Sequence, residues 1–293
     1  MEEGFVAVPG GRIWYGVEGS RGQTPLIVIH GGPGAPHDYL TPHAALADQR
    51  PVIFYDQLGC GKSEQPDSPD LWRLPRFVDE LAALVAALKL ERFHLLGHSW
   101  GSIVAVEYLW SRADGVASLI LASPVLSFPR YAAHGGKLRA SLPPETRSVL
   151  DRAEAAGNFD SREAQLATME YYSRYFCRLD PWPEPLMRAL NNITSNPVPY
   201  ETIQGPNEFT ITGNLKDWDR ADRLGEIATP TLITCGRYDE LGPPCAETLQ
   251  RGISNSEMRI FEQSAHLTYL EETEHYLQVV REFLGRVERK LGA

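Results

Sequence analysis

The chain has 293 residues, 43% hydrophobic and 23% charged, enough for one large α/β domain or a domain carrying an insertion. Lys and Arg number 28 against 38 Asp and Glu, so the formal charge is −10, which argues against a nucleic-acid partner; no apolar run is as long as a membrane span. Four widely spaced cysteines (Cys60, Cys177, Cys235, Cys245) and an acidic start without signal-peptide character lead us to expect reduced thiols in a cytoplasm, with no metal and no cofactor.

Two β-rich segments open the chain, near Phe5–Val8 and Arg12–Val17, joined by the hairpin signal Pro9-Gly10-Gly11. Leu26–His30 is a continuous apolar run, the pattern of a strand buried on both faces, and it ends in Gly31-Gly32-Pro33-Gly34. Val52–Tyr55 repeats the theme and runs into Asp56-Gln57-Leu58-Gly59-Cys60-Gly61. Arg76–Leu88 sets Phe77, Leu81, Leu84, Val85 and Leu88 on one helical face. Phe93–Leu96 reads as strand, Ile103–Trp110 as helix and Ser118–Ala122 as strand. Strands alternating with helices predict a parallel sheet with right-handed crossovers.

The rhythm stops from Pro124 to Leu224, which carries helical patches (Glu145–Ala156, Ser161–Phe176) and a Pro-rich stretch at Asp180–Pro185. It resumes with Thr231–Cys235, Glu247–Arg251 and Met258–Glu262, and closes with a helix from Glu271 to about Lys290. The expected organisation is a sheet domain made of 1–124 and 225–293, interrupted by a mainly helical cap over 125–224. A lid over an active site would emerge at that point.

Between the Phe93–Leu96 run and its helix lies Gly97-His98-Ser99-Trp100-Gly101. A strand feeding a helix through so short a turn strains its apex residue and exposes that residue's hydroxyl. Gly97 and Gly101 are required because a Cβ there would collide with the neighbouring strand and helix. Ser99 is thus the candidate nucleophile. It needs a base, and the base needs a carboxylate to hold its tautomer. In this architecture acid and then histidine follow the serine, each in a loop beyond a strand. His266 follows the Met258–Glu262 strand, whereas His275 falls inside the last helix and is expected on the surface. Asp239, with Glu240 beside it, lies in the loop after Thr231–Cys235. Backbone amides of Gly31 or Gly32, and of Trp100, are the candidate oxyanion donors. A serine at the elbow argues for hydrolysis through an acyl-enzyme and excludes the carboxylate-nucleophile chemistry of haloalkane dehalogenases and epoxide hydrolases.

These segments resemble the proline iminopeptidase (prolyl aminopeptidase) branch of the α/β-hydrolase fold. The matching stretches are 30–34, Tyr-Asp-Gln-Leu-Gly-Cys-Gly-Lys-Ser at 55–63, and Gly-His-Ser-Trp-Gly-Ser at 97–102. Gly-Pro-Asn-Glu-Phe-Thr-Ile-Thr-Gly-Asn-Leu-Lys-Asp-Trp-Asp at 205–219 and Gly-Arg-Tyr-Asp-Glu at 236–240 complete them. The resemblance implies a mostly parallel eight-stranded sheet flanked by helices, with an inserted helical cap. It implies a triad of Ser99, Asp239 and His266, and binding of the substrate's free α-amino group by Glu208 and Glu240. Physically, two carboxylates beside the triad suit a cationic terminus next to the scissile carbonyl. The expected substrate is a short peptide or amino-acid amide with a free N-terminus. Hydrolysis is expected after proline or another small apolar residue; an amino-acid amidase or esterase using the same triad is the alternative. Seven aromatics of the cap (Phe128, Tyr131, Tyr171, Tyr172, Tyr175, Phe176, Trp182) are candidates for pocket walls or cap core.

Overall fold

The computed structural model describes residues 1–19 and 22–292. Eight strands form one sheet: β1 (Glu2–Val8), β2 (Gly11–Glu18), β3 (Leu26–Ile29), β4 (Val52–Tyr55), β5 (Phe93–His98), β6 (Val116–Ala122), β7 (Thr231–Gly236) and β8 (Ser256–Phe261). Their spatial order is β1-β2-β4-β3-β5-β6-β7-β8. The β1–β2 hairpin and the β2–β4 pairing are antiparallel, and every pairing from β4 to β8 is parallel. The apolar runs read as doubly buried strands are so: every residue of β3, β4, β5 and β7 is inaccessible.

Three helices cover one face of the sheet: α1 (Leu74–Ala87), α2 (Trp100–Ser111) and, after β7, a helix over Gly242–Gly252. The other face is closed by a 3-10 segment at His37–Asp48 and a long C-terminal helix, Thr273–Leu291. Chain order reverses between β3 and β5, β4 lying on one side and β6 on the other. Such a switch point opens a crevice at the carboxyl ends of the strands, where ligands of open α/β sheets bind.

Between β6 and β7 the chain leaves the sheet for α3 (Phe128–Ala140), α4 (Pro144–Ala156), α5 (Arg162–Tyr175), α6 (Glu184–Ser195) and α7 (Val198–Ile203). α4 and α5 share a small core of Leu142, Leu150, Ala167, Tyr171 and Phe209, whereas Leu186 and Ala189 of α6 and Ile203 of α7 join the cores that flank the sheet. Two main-chain bonds fasten the end of α5 to the sheet's loops: Glu240 N–H donates to the Tyr175 carbonyl (3.1 Å) and His266 N–H to the Phe176 carbonyl (3.1 Å).

Sequence patterning missed α3, α6, α7 and the 3-10 segment, for local reasons. Gly135-Gly136 interrupts the apolar spacing of α3, yet Ser127 caps it by accepting from Arg130 N–H (3.3 Å). The Pro-rich stretch is not a connection throughout, because Pro185 sits in the first turn of α6, where a missing N–H costs nothing. The expected final helix is one element, Thr273–Leu291, and a separate short turn at Thr268–Glu271 precedes it. All four cysteines are free thiols. Among the described residues no helix is long and apolar enough to cross a membrane.

Candidate active site

Ser99 ends β5 and starts α2 with φ 54° and ψ −123°, a left-handed backbone rare for a serine. A Cβ on Gly97 would run into the Gly101 carbonyl, and one on Gly101 into the Ile29 carbonyl of β3. The turn therefore forms only because both positions lack side chains. Ile29 pairs with Gly97 in the β3–β5 ladder, which brings the glycine loop after β3 alongside Ser99.

Gly236 ends β7 where a Cβ would strike the carbonyls of Ser264 and Ala265, so the β7 and β8 loops close on each other. That approach joins Asp239 to His266, with Asp239 Oδ1 2.9 Å from His266 Nδ1 and both side chains inaccessible. A carboxylate only accepts, so Nδ1 carries the proton and Nε2 keeps its lone pair. Burial would lower the His266 pKa, but the Asp239 carboxylate, helped by Glu208, outweighs it and the net shift is upward. Asp239 Oδ1 also accepts from Leu241 N–H (2.9 Å), while its Oδ2 has no partner among the described residues. His275 lies on the C-terminal helix, with 60% of its side chain exposed, as read from sequence.

Ser99, His266, Gly32 and Glu208 line one cavity of about 30 Å³, walled by Phe176, Leu190 and Ile193 of the insertion. Phe176, Leu190, Ile193 and Glu208 also bound an outer cavity of about 510 Å³, to which Tyr172 and Trp182 contribute. A separate cleft of about 220 Å³ between Pro230 and Leu291 lies at the opposite end of the parallel strands. Of the seven cap aromatics, Phe128 and Tyr171 are core, and Tyr131 holds Glu208. Tyr172, Phe176 and Trp182 wall the cavities, while the Tyr175 hydroxyl pairs with Ser141 (2.7 Å).

Glu208 is presented by a turn in which Asn207 Oδ1 accepts from Phe209 N–H (3.1 Å) and Thr210 N–H (2.8 Å). Tyr131 (2.9 Å), Tyr200 (2.7 Å) and Gln204 Nε2 (2.7 Å) donate to its carboxylate. Glu240 is the opposite case. It is 0% exposed, and neither carboxyl oxygen has a hydrogen-bond partner among the described residues. Burial pushes its pKa well above the ordinary carboxyl value, and the charges of Glu208 and Asp239 push it the same way. Capping of the following helix does not explain Glu240, because neither of its oxygens accepts from an amide of that helix.

The Gly31 amide is already donated to the Tyr39 hydroxyl (2.7 Å), which leaves Gly32, beside Ser99 in the cavity, as this loop's candidate donor with Trp100. Sequence reasoning assigned no role to the groups that brace this region. Gln57 N–H donates to His30 Nε2 (2.9 Å), Gln57 Nε2 donates to the His30 carbonyl (3.0 Å), and Trp100 Nε1 donates to Gln57 Oε1 (2.8 Å). Gln57 and His30 lie inside recognised motifs; nothing in the sequence marks Tyr39. Among the described residues, no group of three or more His, Cys, Asp or Glu is placed to hold a metal ion.

The fold and the family are shared with known proteins. Residues 24–273 match the alpha/beta hydrolase fold family. A proline iminopeptidase of Heyndrickxia coagulans is 42% identical over 287 residues, covering 97% of this chain and 99% of that one. The crystal structure of a proline iminopeptidase from Mycobacterium smegmatis superposes with a TM-score of 0.92 at 36% identity, covering 99% of this chain and 100% of that one. The crystal structure of VinJ gives a TM-score of 0.95 at 34% identity, covering 98% and 99%.

Proposed function

The chain belongs to the proline iminopeptidase family of the alpha/beta hydrolase fold, and from that premise we propose a serine aminopeptidase that releases N-terminal proline from short peptides. In this reading residues 125–224 form a cap on a core of 1–124 and 225–293. Ser99 Oγ attacks the carbonyl carbon while His266 Nε2 takes its proton, and Asp239 steadies the imidazolium that forms. Amides of Gly32 and Trp100 receive the developing oxyanion. His266 then returns the proton to the leaving amine, and water hydrolyses the prolyl ester by the same route in reverse.

The observation that carries the proposal is Glu240, a fully buried carboxyl with both oxygens unpartnered among the described residues, next to a Glu208 that holds three donors and keeps room for a fourth on Oε1. A buried acid without donors is costly unless something cationic arrives. A prolyl ammonium carries two N–H bonds, one for each carboxylate. Charge-assisted bonds of this kind contribute about 1.5–3 kcal/mol each, so losing one costs about tenfold to a hundredfold in kcat/KM.

The test is a rate comparison across prolyl, alanyl and leucyl arylamides, N-acetyl-prolyl arylamide, proline amide and p-nitrophenyl acetate. We expect the prolyl arylamide to lead and acetylation of its nitrogen to abolish turnover. Equal or faster cleavage of the acetylated compound would overturn the amino-group assignment, and a faster amide or acetate ester would favour an amidase or esterase.

A further inference from the structure

We propose that His98, acting with Tyr39, is a positioning residue that ties the main chain of the base, His266, to the main chain of the oxyanion loop. This deepens the serine-aminopeptidase reading and rests on it for the roles of Ser99, His266 and Gly32.

The direction of each hydrogen in this chain of bonds is fixed. His98 Nε2 lies 3.2 Å from the His266 carbonyl, and a carbonyl only accepts, so Nε2 carries the proton. Burial, and next the neighbouring His266, hold His98 well below its ordinary pKa, so it is neutral and Nδ1 is bare. Tyr39 Oη, 3.0 Å away, must therefore donate to Nδ1. Its oxygen is then free to accept the Gly31 N–H at 2.7 Å. The chain runs from Gly31 through Tyr39 and His98 to the His266 carbonyl, and every group in it is satisfied in one sense only. Ser123 Oγ, donating to that same carbonyl at 2.8 Å, completes the clamp.

His98 occupies the elbow position before Ser99, so the clamp spans nucleophile, base and oxyanion loop at the point where they meet. Titratable groups packed on its ring are His266 (centroids 4.7 Å apart), Tyr39 (5.5 Å) and Tyr269 (5.2 Å), with His43 and His30 further off. A second cation beside His266 would repel the imidazolium of the reaction. A neutral ring of fixed tautomer holds the backbone and leaves His266 alone to take the proton.

The test uses H98F, which keeps an aromatic ring without its donor and acceptor, H98Q, which keeps one of each, and Y39F. Each variant is assayed for kcat and KM on a prolyl arylamide, for its pH profile, and for the second-order rate of fluorophosphonate reaction at Ser99. H98F and Y39F should lose about tenfold to a hundredfold in kcat with KM nearly unchanged, the scale of effect expected from misplacing a catalytic group. Phosphonylation should slow in parallel, the acid limb of the pH profile should move, and H98Q should recover most of the loss. Should H98F fail to fold, Y39F and H98Q decide. Folded variants with kcat, pH profile and phosphonylation all within about twofold of wild type, or with the loss confined to KM, would overturn the proposal. A wild type that reacts with fluorophosphonate yet ignores prolyl substrates would sink the aminopeptidase reading instead, and the phosphonylation rates would still judge the clamp.

Discussion

Glu240 is a buried carboxyl whose ionisation the fold disfavours. Its pKa is raised in the folded chain, so the native state binds its proton more tightly than the unfolded state does. Stability contributed by the protonated form is therefore lost as pH rises from the ordinary carboxyl range through the raised value. Glu240→Gln should melt above wild type at pH 8, with the gap closing toward pH 5. It should also lose about tenfold to a hundredfold in kcat/KM on prolyl arylamides, the cost of one charge-assisted bond. Thermal melts at both pH values and steady-state rates check the two halves. At this scale much of the site was legible: Ser99, Asp239 and His266 each follow a strand end, so chain order located them. Tyr39 and His98 were not legible as a pair, because their bonds cross the sheet between segments 59 residues apart.

The β5–α2 turn is the element most sensitive to a single methyl group. Gly101→Ala would drive a Cβ into the Ile29 carbonyl, part of β3 and unable to swing aside. We expect a loss of about 1–3 kcal/mol in stability and failure of Ser99 to label with fluorophosphonate. Gly136→Ala is the contrast. This glycine is exposed on α3 with no atom near its Cβ position, so the substitution should raise stability by roughly 1 kcal/mol through helix propensity. Denaturant melts of both variants check the pair. The same contrast shows why elements were unevenly readable. Doubly buried strands announce themselves by continuous apolar runs, whereas α3 hides behind Gly135-Gly136 and α6 behind Pro183 and Pro185.

For the whole molecule the informative feature is how the insertion meets the sheet. The carbonyls of Tyr175 and Phe176 hold the amides of Glu240 and His266, and the Phe176 ring stacks on the imidazole (5.7 Å, 29°). Hydrogen exchange should show the Glu240 and His266 amides opening together, in step with the end of α5 rather than with β7 and β8. Exchange of these amides at the rate of the flanking strands would contradict it. The insertion itself was legible as a break in alternation; its docking was not, since main-chain bonds leave no trace in side-chain pattern.

A consequence follows for bulky visitors. Lifting the end of α5 off the sheet breaks the main-chain bonds from Glu240 and His266 to the Tyr175 and Phe176 carbonyls, and so pulls on the loop that carries the imidazole. A visitor large enough to wedge the insertion open would therefore unsettle that loop, and we expect folded proteins to be poorer substrates than short peptides.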